Sequence, residues 1–303
     1  MTTDFENTLN SAQELIDNED HAAAIETLTP VIEAGGAPAE VYHLRGIAYT
    51  EDGQTNAALK DLNTALRLDK RNAQYHVSRG RLHMARNDAS EAMSDFKRAL
   101  RLDPDNADAY LERGDLQRAK GNLLKALEDY NAAIERDPDN GEAFYSRGIV
   151  YADLDRHAES LPDYNRALEL LGDDTDIYTS RGAAYFYVDD LDASSADFTT
   201  ALEMDPENVS ALNNRAVVAF VRSDYEAALT DYTRAVEIIP LERLLIGGLA
   251  VTHHALGNVE EGVKAWQALV EMDRRYKNAD VAGKEFLWPE PLIAEARKIV
   301  KKL

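Results

Sequence analysis

The chain has 303 residues, 45% of them hydrophobic and 29% charged, enough apolar surface for a continuous core and too much for a disordered chain. It has no cysteine, which excludes disulfides, thiolate nucleophiles and cysteine-ligated metal centres. Acidic residues number 55 against 33 basic ones, a net charge of −22; nucleic-acid binding draws on a surplus of Lys and Arg to displace counterions, so this balance argues against it and favours basic partners or high solubility.

The opening residues Met1-Thr2-Thr3-Asp4-Phe5-Glu6 place acids early, with no apolar segment behind a basic start. No secretory signal is expected, and no stretch approaches the roughly 18 apolar residues that span a bilayer. A cytoplasmic location without membrane association is the expectation. From Phe5 onward the chain is periodic. Arg-Gly recurs at Arg45-Gly46, Arg79-Gly80, Arg113-Gly114, Arg147-Gly148 and Arg181-Gly182, each 34 residues after the last, and the spacing continues to Arg215-Ala216. The frame runs without insertion over eight units: 5–38, 39–72, 73–106, 107–140, 141–174, 175–208, 209–242 and 243–276. Residues 277–303 leave the frame as a loop and a capping helix.

The columns of the frame define two helices per unit. Position 8 is Gly or Ala throughout. Position 20 is small, from Ala24 and Ala58 to Ser194 and Gly262, while position 24 is large, from Leu28 and Phe96 to Tyr232 and Trp266. Small opposite large lets two antiparallel helices approach closely. Pro104, Pro138, Pro206 and Pro240 share position 32, where a helix has stopped. Pro30 and Pro162 fall inside second helices, where a kink or a late start is expected. In the tail, Trp288-Pro289-Glu290-Pro291 marks a loop and a helix start. Leu292, Ile293, Ala296, Ile299, Val300 and Leu303 then make one apolar stripe that shields the last unit.

These columns resemble the tetratricopeptide repeat, over about nine-tenths of the chain. The resemblance implies an all-α, right-handed superhelical solenoid of eight helix-turn-helix repeats with a C-terminal capping helix, helix A of each unit lining the concave face. No unit buries its apolar face alone, so the array is stable only when stacked.

One feature departs from the family. Position 7, usually apolar, is Arg in six consecutive units, and position 23 in the same six is Asp: Asp61, Asp95, Asp129, Asp163, Asp197 and Asp231. Both are lost together in the first unit (Ser11, Thr27) and in the last (Leu249, Ala265). Pairing within each unit accounts for all eight; pairing to the next unit leaves Arg45 and Asp231 alone. The expectation is a structural Arg–carboxylate ladder, partly buried between the two helices.

No catalytic or metal site is expected, and no cofactor. His253 and His254 are adjacent and diverge by about 100° on a helix; His76 and His83 sit in packing columns; no phosphate loop, Gly-x-Ser-x-Gly elbow or His-Glu-x-x-His is present. In proteins of the family ligands lie against helix A positions 2, 5, 6, 9, 12 and 13. Here these include Arg81, Met84, Asp115, Arg118, Tyr145, Phe186, Tyr187, Asn213, Asn214, Val217 and Phe220. Exposed aromatics there would anchor a peptide, although Phe186 and Phe220 also suit packing between A helices. The Lys/Asn clamp that some family members use for C-terminal carboxylates is absent, and position 2 is largely acidic (Glu40, Asp108, Glu142, Asp176). The expected function is a non-catalytic scaffold or adaptor that binds a protein segment with apolar and basic character. A self-assembling module, or a regulatory subunit of a separate enzyme, is the alternative.

Overall fold

In the computed structural model, residues 2–303 are described, and among them every regular element is a helix. They divide into two compact units, one ending at Val150 and one starting at Tyr151.

The first unit holds α1 (Thr2–Asp17), α2 (His21–Glu33), α3 (Ala39–Glu51), α4 (Thr55–Leu68), α5 (Ala73–Ala85), α6 (Ala89–Leu102), α7 (Ala107–Ala119) and α8 (Leu123–Arg136). Consecutive helices pack in pairs, α1 on α2 through α7 on α8. Helix α9 (Gly141–Asp153) carries the boundary. The second unit continues with α10 (His157–Leu171), α11 (Thr175–Tyr187), α12 (Leu191–Met204), α13 (Val209–Val221), α14 (Tyr225–Ile238), α15 (Arg243–Ala255) and α16 (Val259–Met272). Its pairs are α11 on α12, α13 on α14 and α15 on α16.

The pairing follows from the small and large columns. A methyl added at Gly80 would sit 2.4 Å from Cε1 of Phe96, whose ring is wholly buried. Side-chain oxygens start many of the helices: Asn106 accepts from the Ala109 N–H at 2.8 Å and Asn208 from that of Ala211 at 2.9 Å. The tight turn between paired helices places one residue in the left-handed region in every 34-residue repeat. These are Glu19, Gly53, Asn87, Gly121, Asp155, Asp189, Ser223 and Gly257, with φ between 58° and 87°. All eight share position 15, so the turn geometry is imposed by the helix pairing and only three repeats meet it with glycine.

Neither internal proline delays the start of its helix. Helix α2 runs through Pro30 and α10 through Pro162, and α10 begins at the same repeat position as α4, without a late start. Each proline removes one donor from a helix whose remaining bonds and packing hold it.

The tail also differs, because a short helix precedes the cap. A 3₁₀ turn (Arg274–Lys277) leads into α17 (Ala279–Glu285), whose start is capped by Asn278, and then into α18 (Glu290–Val300). Helix α18 buries Leu292, Ala296 and Ile299 against α15 and α16. Two polar anchors fix this segment: Trp266 Nε1 donates to the Tyr276 carbonyl at 3.0 Å, and His254 Nδ1 lies 2.5 Å from Glu295 Oε1.

Candidate functional site

The Arg–Asp ladder is a structural feature. Arg45–Asp61, Arg79–Asp95, Arg113–Asp129, Arg181–Asp197 and Arg215–Asp231 pair within their own repeats, with closest approaches of 2.5–2.8 Å. The aspartates are nearly buried, at 3–6% exposed. In each pair the guanidinium grips the carboxylate through Nε and Nη2. The sequence reasoning missed a second contact. Nη1 reaches back to position 25 of the preceding repeat: Arg45 to Thr29, Arg79 to Asn63, Arg147 to Asn131, Arg181 to Asn165 and Arg215 to Thr199. The signal was in the sequence, since position 25 is Thr or Asn before each of these arginines and Lys97 before Arg113. Each of the five paired arginines ties its own helix pair, and all of these but Arg113 also reach the preceding repeat.

Of the eleven groove candidates, Arg81, Met84, Asp115, Arg118 and Tyr145 lie in the first unit, where most have partners inside the protein. Arg81 donates to Glu112 at 2.5 Å. Asp115 accepts from Tyr130 Oη at 2.7 Å and Ser146 Oγ at 3.4 Å. Burial pushes both carboxyls above the usual range, with Arg81 opposing the rise at Glu112 and the Tyr130 hydroxyl opposing it at Asp115. Arg118 acts on Asp115 and Tyr130 through its charge, while its Nε–H has no protein partner. Met84 is half-buried and lines a small cavity of about 180 Å³ with Leu116 and Lys120. Tyr145 is half-buried.

In the second unit, five of the remaining six come together. Phe186 and Tyr187 from α11 and Asn213, Asn214 and Val217 from α13 line one cavity of about 270 Å³, joined by Leu244 of α15. Tyr187 is 55% exposed; its ring stacks on His157 at 4.2 Å and meets Phe186 edge-on at 5.7 Å. Asn213 Nδ2 donates to Asn214 Oδ1 at 3.1 Å. Phe220 stands apart. It is 3% exposed, packs on Tyr225 at 5.0 Å and belongs to the core, so it is withdrawn from the groove.

The far wall of the cavity was not foreseen. It is Phe286, Leu287, Trp288 and Pro289, the loop between α17 and α18. Trp288 is 6% exposed, and its ring lies 5.2 Å from that of Phe286 and 6.3 Å from that of Trp266. Gly247 makes the seat: a methyl there would stand 3.0 Å from the Trp288 ring and 3.2 Å from that of Phe286. Among the described residues no helix is long and apolar enough to cross a membrane.

The tetratricopeptide repeat model matches residues 43–107, 77–140, 107–175 and 179–242. The chain is a tetratricopeptide repeat protein. Among solved structures it is similar to YrrB, described as a TPR protein with an unusual peptide-binding site, with 26% identity over 61% of this chain and 95% of that one and a TM-score of 0.55. The Cut9–Hcn1 hetero-tetramer of the APC/C matches 95% of this chain and 55% of its own at 15% identity, TM-score 0.66. Pseudomonas aeruginosa pilF matches 67% and 93% at 17% identity, TM-score 0.62; the last two likenesses show the fold alone. No curated protein matches the sequence. Repeats of this family generally mediate protein–protein interaction.

Proposed function

We propose that this protein is a non-catalytic interaction scaffold that binds an extended protein segment against the α11 and α13 faces of its second unit. The observation that supports this most is the convergence of Phe186, Tyr187, Asn213, Asn214 and Val217 on one cavity. Aromatic and aliphatic walls desolvate an apolar anchor, and the two asparagine amides offer donors and acceptors to a peptide backbone. YrrB, similar in fold and 26% identical, is itself a peptide-binding TPR protein by its description. The net charge of −22 favours partners with basic flanks and speeds their encounter at low salt.

Selection of displayed random peptides on the whole chain tests the proposal. An enriched apolar sequence is expected, and Phe186→Ser with Tyr187→Ser should weaken its binding at least tenfold while the helical circular dichroism stays intact. Phe220→Ser serves as the contrast, because removing this buried ring should cost about 3 kcal/mol of stability. No enriched sequence, or undiminished binding by the double variant, would exclude this face as the site.

A further inference from the structure

The tail loop 286–289 is more than the edge of a cap. Helix α18 supplies the cover, burying Leu292, Ala296 and Ile299. The loop before it instead turns its apolar side chains onto the cavity opposite Asn213, Asn214 and Val217. None of the twelve residues that line the cavity carries a charge, although 29% of the chain is charged. A charged guest group would lose its hydration there and find no counter-charge.

Two polar atoms on residues that line the cavity, one on each side of it, have no partner in the protein. Asn213 Oδ1 is a shielded acceptor and Trp288 Nε1 a shielded donor, and buried polar groups are ordinarily paired. The other indole of the chain follows that rule, since Trp266 Nε1 donates to the Tyr276 carbonyl. Beside Trp288, Leu287 adopts left-handed backbone at φ 53° and leaves its side chain 77% exposed. Such conformations in bulky residues are strained and cluster at binding sites.

We propose that the loop 286–289 is part of the binding site, and that the cavity takes one uncharged apolar side chain of an internal peptide segment. The adjoining peptide group donates its N–H to Asn213 Oδ1 and accepts from Trp288 Nε1. The terminal torsion of Asn213 is soft, so its amide turns toward a guest at little cost, and the exposed Leu287 is the point at which the loop yields to admit it. A cavity of about 270 Å³ sits near the lower end of ligand pockets, about 300–1,000 Å³, a size that suits one large side chain with its flanking amides. This inference rests on the peptide-binding reading above and adds the class of residue and the role of the tail.

The chain has two tryptophans, so nitrogen-15 labelling yields two indole N–H signals, assigned by Trp288→Phe. Full-length protein would be titrated with N-acetyl-leucine methylamide, N-acetyl-lysine methylamide and N-acetyl-leucine carrying a free carboxylate. The leucine diamide should shift the Trp288 signal saturably in the millimolar range and leave Trp266 in place. The charged probes should bind at least fivefold more weakly, and Asn213→Ala should weaken the diamide at least fivefold. Gly247→Val, which crowds the seat of Trp288, should also abolish the shift with the helical signal retained. A silent Trp288 signal, or equal binding of the charged probes, overturns the inference. If displayed peptides still bind while Trp288 is silent, the tail is only a cap and the broader reading stands; if no peptide binds, that reading falls separately.

Discussion

The ladder pair Arg113–Asp129 allows a quantitative test of how charge is used between these helices. Asp129 receives N–H contacts from Arg113 Nε at 3.0 and 3.2 Å and from Nη2 at 2.5 Å. Its side chain is 8% exposed, against 23% for Arg113. The two truncations are therefore unequal. Arg113→Ala strands a carboxylate that water scarcely reaches, and losing one partner of a buried pair costs about 3–5 kcal/mol; Arg113 is itself 23% exposed, so the lower end, about 3 kcal/mol, is expected. Asp129→Ala strands a guanidinium on a long stem, already facing the Tyr110 ring at 5.4 Å and able to extend to solvent, at about 1.5 kcal/mol. The double variant leaves no stranded charge and should cost about 2 kcal/mol, so the two changes couple by roughly 2.5 kcal/mol. Urea unfolding of the four proteins, followed by circular dichroism at matched slopes, measures each value. Additive losses, or a larger loss for Asp129→Ala than for Arg113→Ala, would refute the reasoning.

Two further outcomes follow from single residues. His43 is 7% exposed and bonded to Ser78 Oγ at 2.8 Å, and burial, helped by the Arg81 charge, lowers its pKa to about 4. Between the ordinary value of 6.5 and about 4, the unfolded chain takes up a proton that the folded chain excludes, so stability falls as pH falls through this window. His43→Gln should flatten that loss, by about 3 kcal/mol at most, in urea midpoints measured from pH 7 to 4; an unchanged slope would place the loss in other groups. Ser223 holds φ at 64° in a turn where Gly121 adopts 72°, so Ser223→Gly should raise stability by about 0.5–1 kcal/mol and Gly121→Ala lower it by about 1 kcal/mol, read as shifts in thermal midpoint of opposite sign.

Much of the local structure was legible in the chain itself because a 34-residue period repeats the same physical problem. Each unit must bring two helices close, so Gly80 faces Phe96 and the column pattern exposes the pairing. The co-occurrence of Arg and Asp likewise marked five pairs that the structure forms. The left-handed turn was visible only where glycine marked it, and Glu19, Asn87, Asp155, Asp189 and Ser223 adopt it under the pull of the pairing on either side.

The binding surface was only half legible, and the reason is the reach of the contacts that decide it. Phe186 and Phe220 occupy the same repeat position, and the period cannot tell them apart. Phe220 meets Tyr225 and is buried, whereas Phe186 borders the cavity. The Trp288 loop comes to lie against α13 and α15, far back along the chain, because Gly247 leaves room for its ring and α18 has apolar residues to bury. Periodic, short-range demands wrote the helices and the ladder into the sequence. The cavity depends on a contact between non-repeating segments, and only the packing of the tail onto the last repeats created it.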